Sequence, residues 1–418
     1  MKRAGPMRSV DEHAAAALGL VSVLPARELP LSESLGLVLA QRVTAQIDSP
    51  PFDNSAMDGF AVLRADVEGA TADCPVTLRV AGESVAGSGL GLTVTSGCAV
   101  RIMTGAPLPL GADLVIPVEA TSTSFEMFQP VAADGAAVRI FAAPAGRTHI
   151  RGRGEDIATG QSVMEPGVLL GPSQLAAAAS VGVARLTVIP RPVVAILATG
   201  DELVAPGGVL RPGQIYDSNS VVLAASVQRA GGTPLVLNHV GDTAQALLEA
   251  LDSVQADLIV TSGGVSAGAY DVVKGALAQR GVEFVQVAMQ PGKPQGLGKV
   301  RAGAPDGTPI ACLPGNPVSS LVSFEVIVAP MLRVLRGVSP HRPRESATVA
   351  SGWTTPPGRQ QYMPVRFQAN GTVVPATGGG SGSHLVASLA LAQALVVVPA
   401  NVDAVAKGDT VELIRFSL

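Results

Sequence analysis

Between residues 190 and 337, short apolar runs alternate with amphipathic stretches, and this alternation constrains the fold more than any other feature of the chain. PVVAILATG, TPLVLNHV, ADLIVTS and EFVQVAM read as strands. The stretch from about Asn219 to Ala230, then TAQALLEALDSV and VVKGALAQR, read as helices; a short hairpin is expected around Asp306-Gly307, and a final helix follows Asn316. Strand–helix–strand repetition places the strands parallel in one sheet with helices on its faces. A parallel, doubly wound α/β domain is expected. In such sheets ligands sit beyond the carboxyl ends of the strands.

The flanking regions differ in texture, and 418 residues exceed what one core organises. The expected class is a multidomain α/β plus β protein. Ser9 followed by Glu12 reads as a capping box, and residues 9–45 look helical. Together with residues 139–188, where Ser173–Val181 reads as a helix, residues 1–45 are expected to form a discontinuous N-terminal mixed helical domain. Residues 46–138 carry Val-, Thr- and Gly-rich stretches such as VTLRVAGESVAGSG and suggest an inserted β-rich domain. Residues 189–340 hold the α/β domain. Residues 341–418 alternate like short strands (ALVVVPA, DTVELIRF) and imply a C-terminal small β-barrel.

Composition removes several classes of function. A net charge of −4 gives no whole-chain basic field, so no nucleic-acid partner is expected. Cys74, Cys98 and Cys312 are widely spaced with no CxxC pair, which argues against a disulfide framework or a zinc site. The apolar run from Ala14 is abutted by Asp11, Glu12 and His13, wrong for a signal peptide. No run reaches 18 uninterrupted apolar residues, so no membrane span and a cytoplasmic location are expected.

Four segments follow strand ends in the α/β region. In ADLIVTSGGVSAGAYD (256–271) a buried strand opens into a Gly-rich turn before a helix, a common cradle for phosphate or another oxyanion. The acid at Asp271 implies a metal ion between it and the anion, because like charges about 4 Å apart repel by roughly 4 kcal/mol at an effective dielectric of 20. ATGDEL brings Asp201 and Glu202, HVGDT brings Asp242, and CLPGNPVSS brings Asn316 and Ser319. Each alone has a structural explanation: Asp242 before Thr243 suits a helix cap and LPGNP suits a turn. Carboxylates on one rim beside Gly-rich backbone suit Mg²⁺ and a phosphate. Neither GxxxxGK[ST] nor GxGxxG is present.

Outside that rim, MQPGKPQG (289–296) holds Lys293 on a stiff loop, either as an oxyanion partner or as a solvated turn lysine. SPPFDNSAMDGFAV (49–62) mixes Asp53, Asn54, Ser55 and Asp58 with large apolar residues; it either packs under another surface or presents Asp58 to a site. In TGAPLPLGADLVIPVE (104–119) and RGRGEDIATG (151–160), Arg151 and Arg153 are expected to pair with acids among Asp113, Glu119, Glu155 and Asp156.

Taken together, PPFDNSAMDGFAV, RIMTGAPLPLGADLVIPVE, RGRGEDI, ATGDEL with IYDSNS, TSGGVSAGAYD, PGKPQG, LPGNPVSS and GSHL resemble the molybdopterin molybdenumtransferases, the bacterial MoeA type related to the E domain of gephyrin. The resemblance implies a molybdopterin-binding-like α/β domain and insertion of molybdate into adenylylated molybdopterin, with Mg²⁺-dependent release of AMP. It also implies a homodimer, with the upstream adenylyltransferase as a further partner. By motif, Asp58, Glu202, Asp242 and Asp271 would be catalytic, the last three also metal ligands. Thr104, Asp156, Ser262, Gly263, Gly264 and Ser266 would bind substrate. Lys293, Pro294, Ser319, Arg366 and Ser383 would form the molybdate pocket. Gln290 departs from the basic residue many members carry before PGKP. Alternatives are a molybdopterin adenylyltransferase, a related nucleotide pyrophosphatase, or a gephyrin-like scaffold.

Overall fold

The computed structural model describes all residues except 1–6, 88–90, 124–135, 238–242, 266–271, 302–305, 379–380, 383–385 and 417–418. The chain folds as two compact units, residues 1–28, 36–40 and 187–418 in one and residues 29–35 and 41–186 in the other.

The larger unit begins with α1 (Val10–Leu18). Its capping box is formed: Ser9 Oγ accepts from Glu12 N at 3.2 Å, and Glu12 Oε2 accepts from Ser9 N at 2.9 Å. The α/β region supplies β1 (Val193–Ala198), α2 (Ser218–Arg229), β2 (Thr233–Val236), α3 (Ala244–Ser253), β3 (Leu258–Ser262), α4 (Val272–Ala278) and β4 (Glu283–Gln286). It continues through β5 (Met289–Gln290), β6 (Pro294–Val300) and β7 (Thr308–Leu313) to the helix α5 (Pro317–Leu335), which has a π-turn segment at Phe324–Val328. The sheet order is β2-β1-β3-β7-β6-β4. The first four strands are parallel, whereas β6 runs antiparallel to both β7 and β4. The sheet is therefore mixed, a correction to the all-parallel expectation. Only residues 301–307 separate β6 from β7, and antiparallel pairing needs no crossover helix.

The α/β core explains the strand sequences. Val194, Ile196, Leu258 and Val260 bury one face against α2 and α5, while Ala195, Leu197, Ile259 and Ile310 bury the other against α3 and α4. Both faces are covered, so the strands read as continuous apolar runs. Helix α5 is long and apolar enough to cross a membrane by composition, but 78% of that window is buried inside the protein, as expected of a core helix.

Helix α1 also packs on this core through Ala17, with Ala14, Leu20 and Leu24 beside it. That corrects the grouping of all of residues 1–45 with residues 139–188. Helix formation stops at Leu18, and short strands at Arg27–Pro30, Val38–Leu39 and Val43–Thr44 follow. Pro25 and Pro30 interrupt any helix, and Gly36 adopts φ +74°.

The C-terminal strands β8 (Glu345–Thr348), β9 (Gln360–Phe367), β10 (Val373–Pro375), β11 (Ala394–Val398) and β12 (Thr410–Arg415) form a second sheet, ordered β5-β9-β11-β12-β8 with β10 on β9. The short strand β5 thus leaves the α/β region to pair in parallel with β9, Met289 opposite Gln360 and Gln290 opposite Gln361.

The smaller unit centres on a five-stranded mixed sheet in the order Leu114–Pro117, Gly59–Val62, Cys98–Ile102, Val76–Ser84, Ala137–Ile140. Gly59–Val62 is buried throughout because both sheet faces are covered, one by Phe60, Val62 and Leu114, the other by Ala61, Val100 and Val115. Gly59 lies so close to the carbonyl of Ile116 that no Cβ fits there. A helix at Pro172–Ser180 opens with proline at its first position.

Candidate functional site

Three strand ends of the α/β sheet meet at one rim: Thr199 after β1, Gly263 and Gly264 after β3, and Pro314 to Asn316 after β7. Asn219 ties the ends of β3 and β7 together. It lies in the first turn of α2, where Asp217 caps Ser220 N at 2.9 Å. Asn219 Nδ2 donates to Ser262 Oγ at 2.9 Å and to Gly315 O at 2.7 Å. Gly263 N donates to Leu313 O at 3.1 Å, and the turn needs φ +96° at Gly263 and +67° at Gly264. A Cβ on Gly263 would stand 3.2 Å from Thr199 O, and one on Gly315 would stand 3.3 Å from Gly263 Cα. The rim is glycine-rich because the backbones touch.

Ser262, expected to contact substrate, is instead 2% exposed, and its hydroxyl is taken up within this network. It braces the turn. Glu202 is exposed, and its carboxylate folds over Gly200, which has φ +141°. Asp242, Ser266 and Asp271 lie outside the described residues, as does Ser383. Among the described residues no group of three or more His, Cys, Asp or Glu side chains could hold a metal ion. Glu202, the one of the three expected carboxylates among the described residues, offers hard oxygen donors and is exposed at the rim, which fits Mg²⁺.

A second cluster forms around the turn that joins β5 to β6. Lys293 O accepts from Val287 N at 2.7 Å, so the chain doubles back at Pro291–Gly292. Gln360 N donates to Ala288 O at 2.9 Å, which brings the start of β9 to the same level. There Arg359 Nη1 donates to Gln290 Oε1 at 2.7 Å. Lys293 and Pro294 are half-buried, and Ser319 is buried in the first turn of α5. Among the described residues neither Lys293 nor Arg359 forms an ion pair with a carboxylate.

Arg366 stands elsewhere. It is exposed, pairs with Val374, and lies six residues along β9 from Gln360, about 20 Å at 3.3 Å per residue. The guanidinium that reaches the Lys293 turn is that of Arg359. Gln361 Nε2 donates to Ser381 Oγ at 3.1 Å, which ties the segment preceding GSHL to the same end of β9.

The remaining expected residues belong to the smaller unit. Asp58 Oδ1 accepts from Thr104 N at 2.7 Å, and the buried Arg101 lies within electrostatic reach of Asp58. Asp156 is exposed, and its backbone N donates to Ser49 O at 3.0 Å. The RGRGEDI segment is stitched to SPPFDNS by Ile150 opposite Ser55, Arg151 opposite Asn54, and Arg153 N on Asp53 Oδ1 at 2.7 Å. Arg153 pairs with Asp48, not with the acids expected. Thr159 and Arg153 together hold the Asp48 carboxyl down to a pKa of about 2.

Residues 8–182 match the MoeA N-terminal region (domain I and II), residues 195–334 a probable molybdopterin binding domain, and residues 346–416 the MoeA C-terminal region (domain IV). The chain belongs to the MoeA family of molybdopterin molybdenumtransferases. Molybdopterin molybdenumtransferase 2 of Mycobacterium tuberculosis is 44% identical across 97% of this chain and 99% of its own. Molybdopterin molybdenumtransferase of Haemophilus influenzae is 33% identical across 93% of each. A molybdopterin biosynthesis MoeA protein from Pyrococcus horikosii has a structure that superposes with a TM-score of 0.80 at 30% identity, covering 99% of this chain and all of that one.

Asn219 and Arg359 were not among the site residues expected from the MoeA motifs. IYDSNS carries Asn219 in plain view, but a side chain that binds two loops rather than a ligand has no spacing signature. Arg359 becomes visible only through the parallel pairing of β5 with β9.

Proposed function

We propose that this MoeA-family chain inserts molybdate into adenylylated molybdopterin and releases AMP, completing the molybdenum cofactor. The observation that carries the reading is the Lys293 turn, where two cations, Lys293 and Arg359, stand without carboxylate partners among the described residues. Molybdate is a dianion, and charged hydrogen bonds contribute roughly 1.5–3 kcal/mol each.

The glycine-rich rim around Gly263 suits a pyrophosphate, because backbone amides approach it without side-chain obstruction. Asn219 and Ser262 keep that backbone in place. Glu202, with Asp242 and Asp271, would hold Mg²⁺, which when bound offsets pyrophosphate charge. Lys293 and Arg359 bind and orient molybdate beside the dithiolene, so positioning more than proton transfer drives the insertion. A homodimer, and a small barrel formed by residues 341–418, belong to the same proposal.

Purified protein is given either adenylylated molybdopterin with molybdate and Mg²⁺, or molybdopterin with ATP. Molybdate-dependent AMP release in the first mixture supports the reading. ATP consumption without molybdate in the second overturns it in favour of an adenylyltransferase.

A further inference from the structure

A cavity of about 510 Å³ opens within the larger unit, walled by α1, the C-terminal half of α5, the connection after it, and strands β9 and β12. Neither Lys293, Arg359 nor any residue of the glycine-rich rim lines it.

The charges around this cavity do not balance. Glu325, wholly buried in the π-turn of α5, accepts from Arg229 and, at 2.9 Å, from Arg342. Arg344 with Glu412, at 2.8 Å, and Arg415 with Glu345, at 2.9 Å, close as separate pairs. Asp11 is the remaining carboxylate on the wall. Six arginines thus face four carboxylates, an excess of two positive charges. Arg333 and Arg336 stand three residues apart at the end of α5, and neither has a carboxylate partner among the described residues.

Backbone carbonyls hold both guanidinia instead. Arg333 Nε donates to Ser339 O at 2.5 Å, while Arg336 donates to Ala230 O at 2.9 Å and to Gly36 O at 3.0 Å. These bonds fix the side chains without cancelling their charge, and the end of a helix contributes only about half a negative charge. The Nη1 and Nη2 groups of Arg333 have no hydrogen-bond partner among the described residues. Burial and neighbouring arginines lower the basicity of both residues, a cost that a bound anion would relieve.

Ala14 and Leu18 of α1, with Val326 and Pro330 of α5, give the same cavity apolar wall. Its volume lies in the range of small-molecule sites, and orthophosphate would leave most of it unfilled. A phosphate ester suits it better. The ester's dianion matches the charge excess, a guanidinium fork binds two phosphate oxygens at once, and a carbon body covers the apolar wall.

We infer that this cavity is a second anion site, which takes a small phosphomonoester with its phosphate at Arg333 and in the field of Arg336. The inference does not rest on the reading of Lys293, and the two fail separately. Isothermal titration at neutral pH and constant ionic strength uses ribose 5-phosphate, inorganic phosphate and ribose as probes. The proteins are full-length wild type, Arg333→Gln, Arg333→Lys and Lys293→Ala, and hydrogen exchange of the wild type is mapped with and without ribose 5-phosphate.

Ribose 5-phosphate should bind wild type at least about threefold tighter than inorganic phosphate, because its carbon body is buried, and ribose alone should give no heat. Arg333→Gln should weaken binding by roughly 10- to 100-fold, the worth of one charged hydrogen bond. Arg333→Lys, which keeps the charge and loses the fork, should recover part of that loss. Lys293→Ala should stay within about twofold of wild type, as a site with no shared partner. Protection from exchange should fall on residues 326–344.

Wild-type affinity in Arg333→Gln, or no binding of ribose 5-phosphate at all, overturns the site. Equal affinity for inorganic phosphate overturns the ester as its ligand. Loss of binding in Lys293→Ala, with protection confined to residues 262–264 and 289–296, places the phosphate at the proposed reaction site and also overturns it. Should Arg333→Gln fold poorly, the wild-type exchange map decides by the same criterion.

Discussion

Arg359 Nη1 donates to Gln290 Oε1 at 2.7 Å, and this pair places a guanidinium from the C-terminal sheet at a turn of the α/β region. Gln290 is neutral, and the cation at this position comes from Arg359, which stands just before β9. Arg359→Ala is expected to raise the molybdate requirement of AMP release by roughly 10- to 100-fold, the worth of one charged hydrogen bond. Arg366→Ala is expected to leave it within about twofold, since Arg366 is exposed far along the same strand. Titrating molybdate against both variants checks this; a larger effect at Arg366 would contradict the placement of the pocket.

Asn219 holds Ser262 and Gly315 with one amide group. Truncation to alanine strips a buried hydroxyl and a carbonyl of their donor, at about 1–3 kcal/mol for each group left unmatched. Asn219→Ala should unfold at lower denaturant with an unchanged m-value, and should slow AMP release even at saturating substrate. Urea melts together with kcat measure both. Normal kcat in a destabilised variant would mean that the rim tolerates looseness.

Gly263 has φ +96° and faces Thr199 O. Gly263→Ala adds left-handed strain of roughly 1–2 kcal/mol and a contact tighter than most Cβ atoms tolerate. The turn must shift, and with it the amides that would meet the pyrophosphate. The expected result is a raised KM for adenylylated molybdopterin with molybdate KM unaffected. Equal changes in both constants would place the two anions at one subsite.

Acid should weaken the fold through His13. Its folded pKa is about 4 and its ordinary value 6.5, so the folded state favours the neutral ring. Above pH 6.5 both states are neutral and the group contributes nothing to the pH dependence. As pH falls from 6.5 towards 4 the unfolded chain takes up the proton first, and stability declines by up to about 3 kcal/mol at 1.36 kcal/mol per unit. Below 4 the loss levels off. His13→Leu should flatten that part of the stability profile; chemical denaturation at pH 7, 5.5 and 4.5 reveals whether it does.

Much of the fold is legible in the chain because strands buried on both faces must be apolar throughout, and helices between them must be amphipathic. Val194 to Leu197 and Leu258 to Val260 announce themselves that way. The direction of β6 is legible only in the short hairpin around Asp306-Gly307 that leads to β7, because Gly296 and Gly298 within the strand fit either pairing. The site divides along the same line. Gly263 and Lys293 stand out because turns and stiff loops have composition. Ser262 looks like a ligand group in sequence and is a brace in space, because burial depends on Asn219 from a distant helix. Arg359, just before β9, and Arg366, near its far end, stand at opposite ends of the strand, and only the β5 pairing shows that Arg359 is the one at the Lys293 turn.

Asp58 tests whether a motif acid is chemical or structural. Its Oδ1 caps Thr104 N at 2.7 Å, its carbonyl accepts from Val118 N at 3.0 Å, and its charge opposes that of the buried Arg101. Burial lowers the pKa of Arg101, while Glu83 and Asp58 act against that shift. Asp58→Asn keeps a side-chain acceptor for Thr104 but removes one of the two charges facing the guanidinium. A loss of about 1–2 kcal/mol is expected, which lowers the melting temperature by a few degrees in a chain of this size. Asp58→Glu should recover less than Asn, because a longer side chain cannot reach Thr104 N from the same backbone. If Asp58→Asn instead melts like wild type and loses turnover, the carboxylate acts on substrate and the cap is incidental.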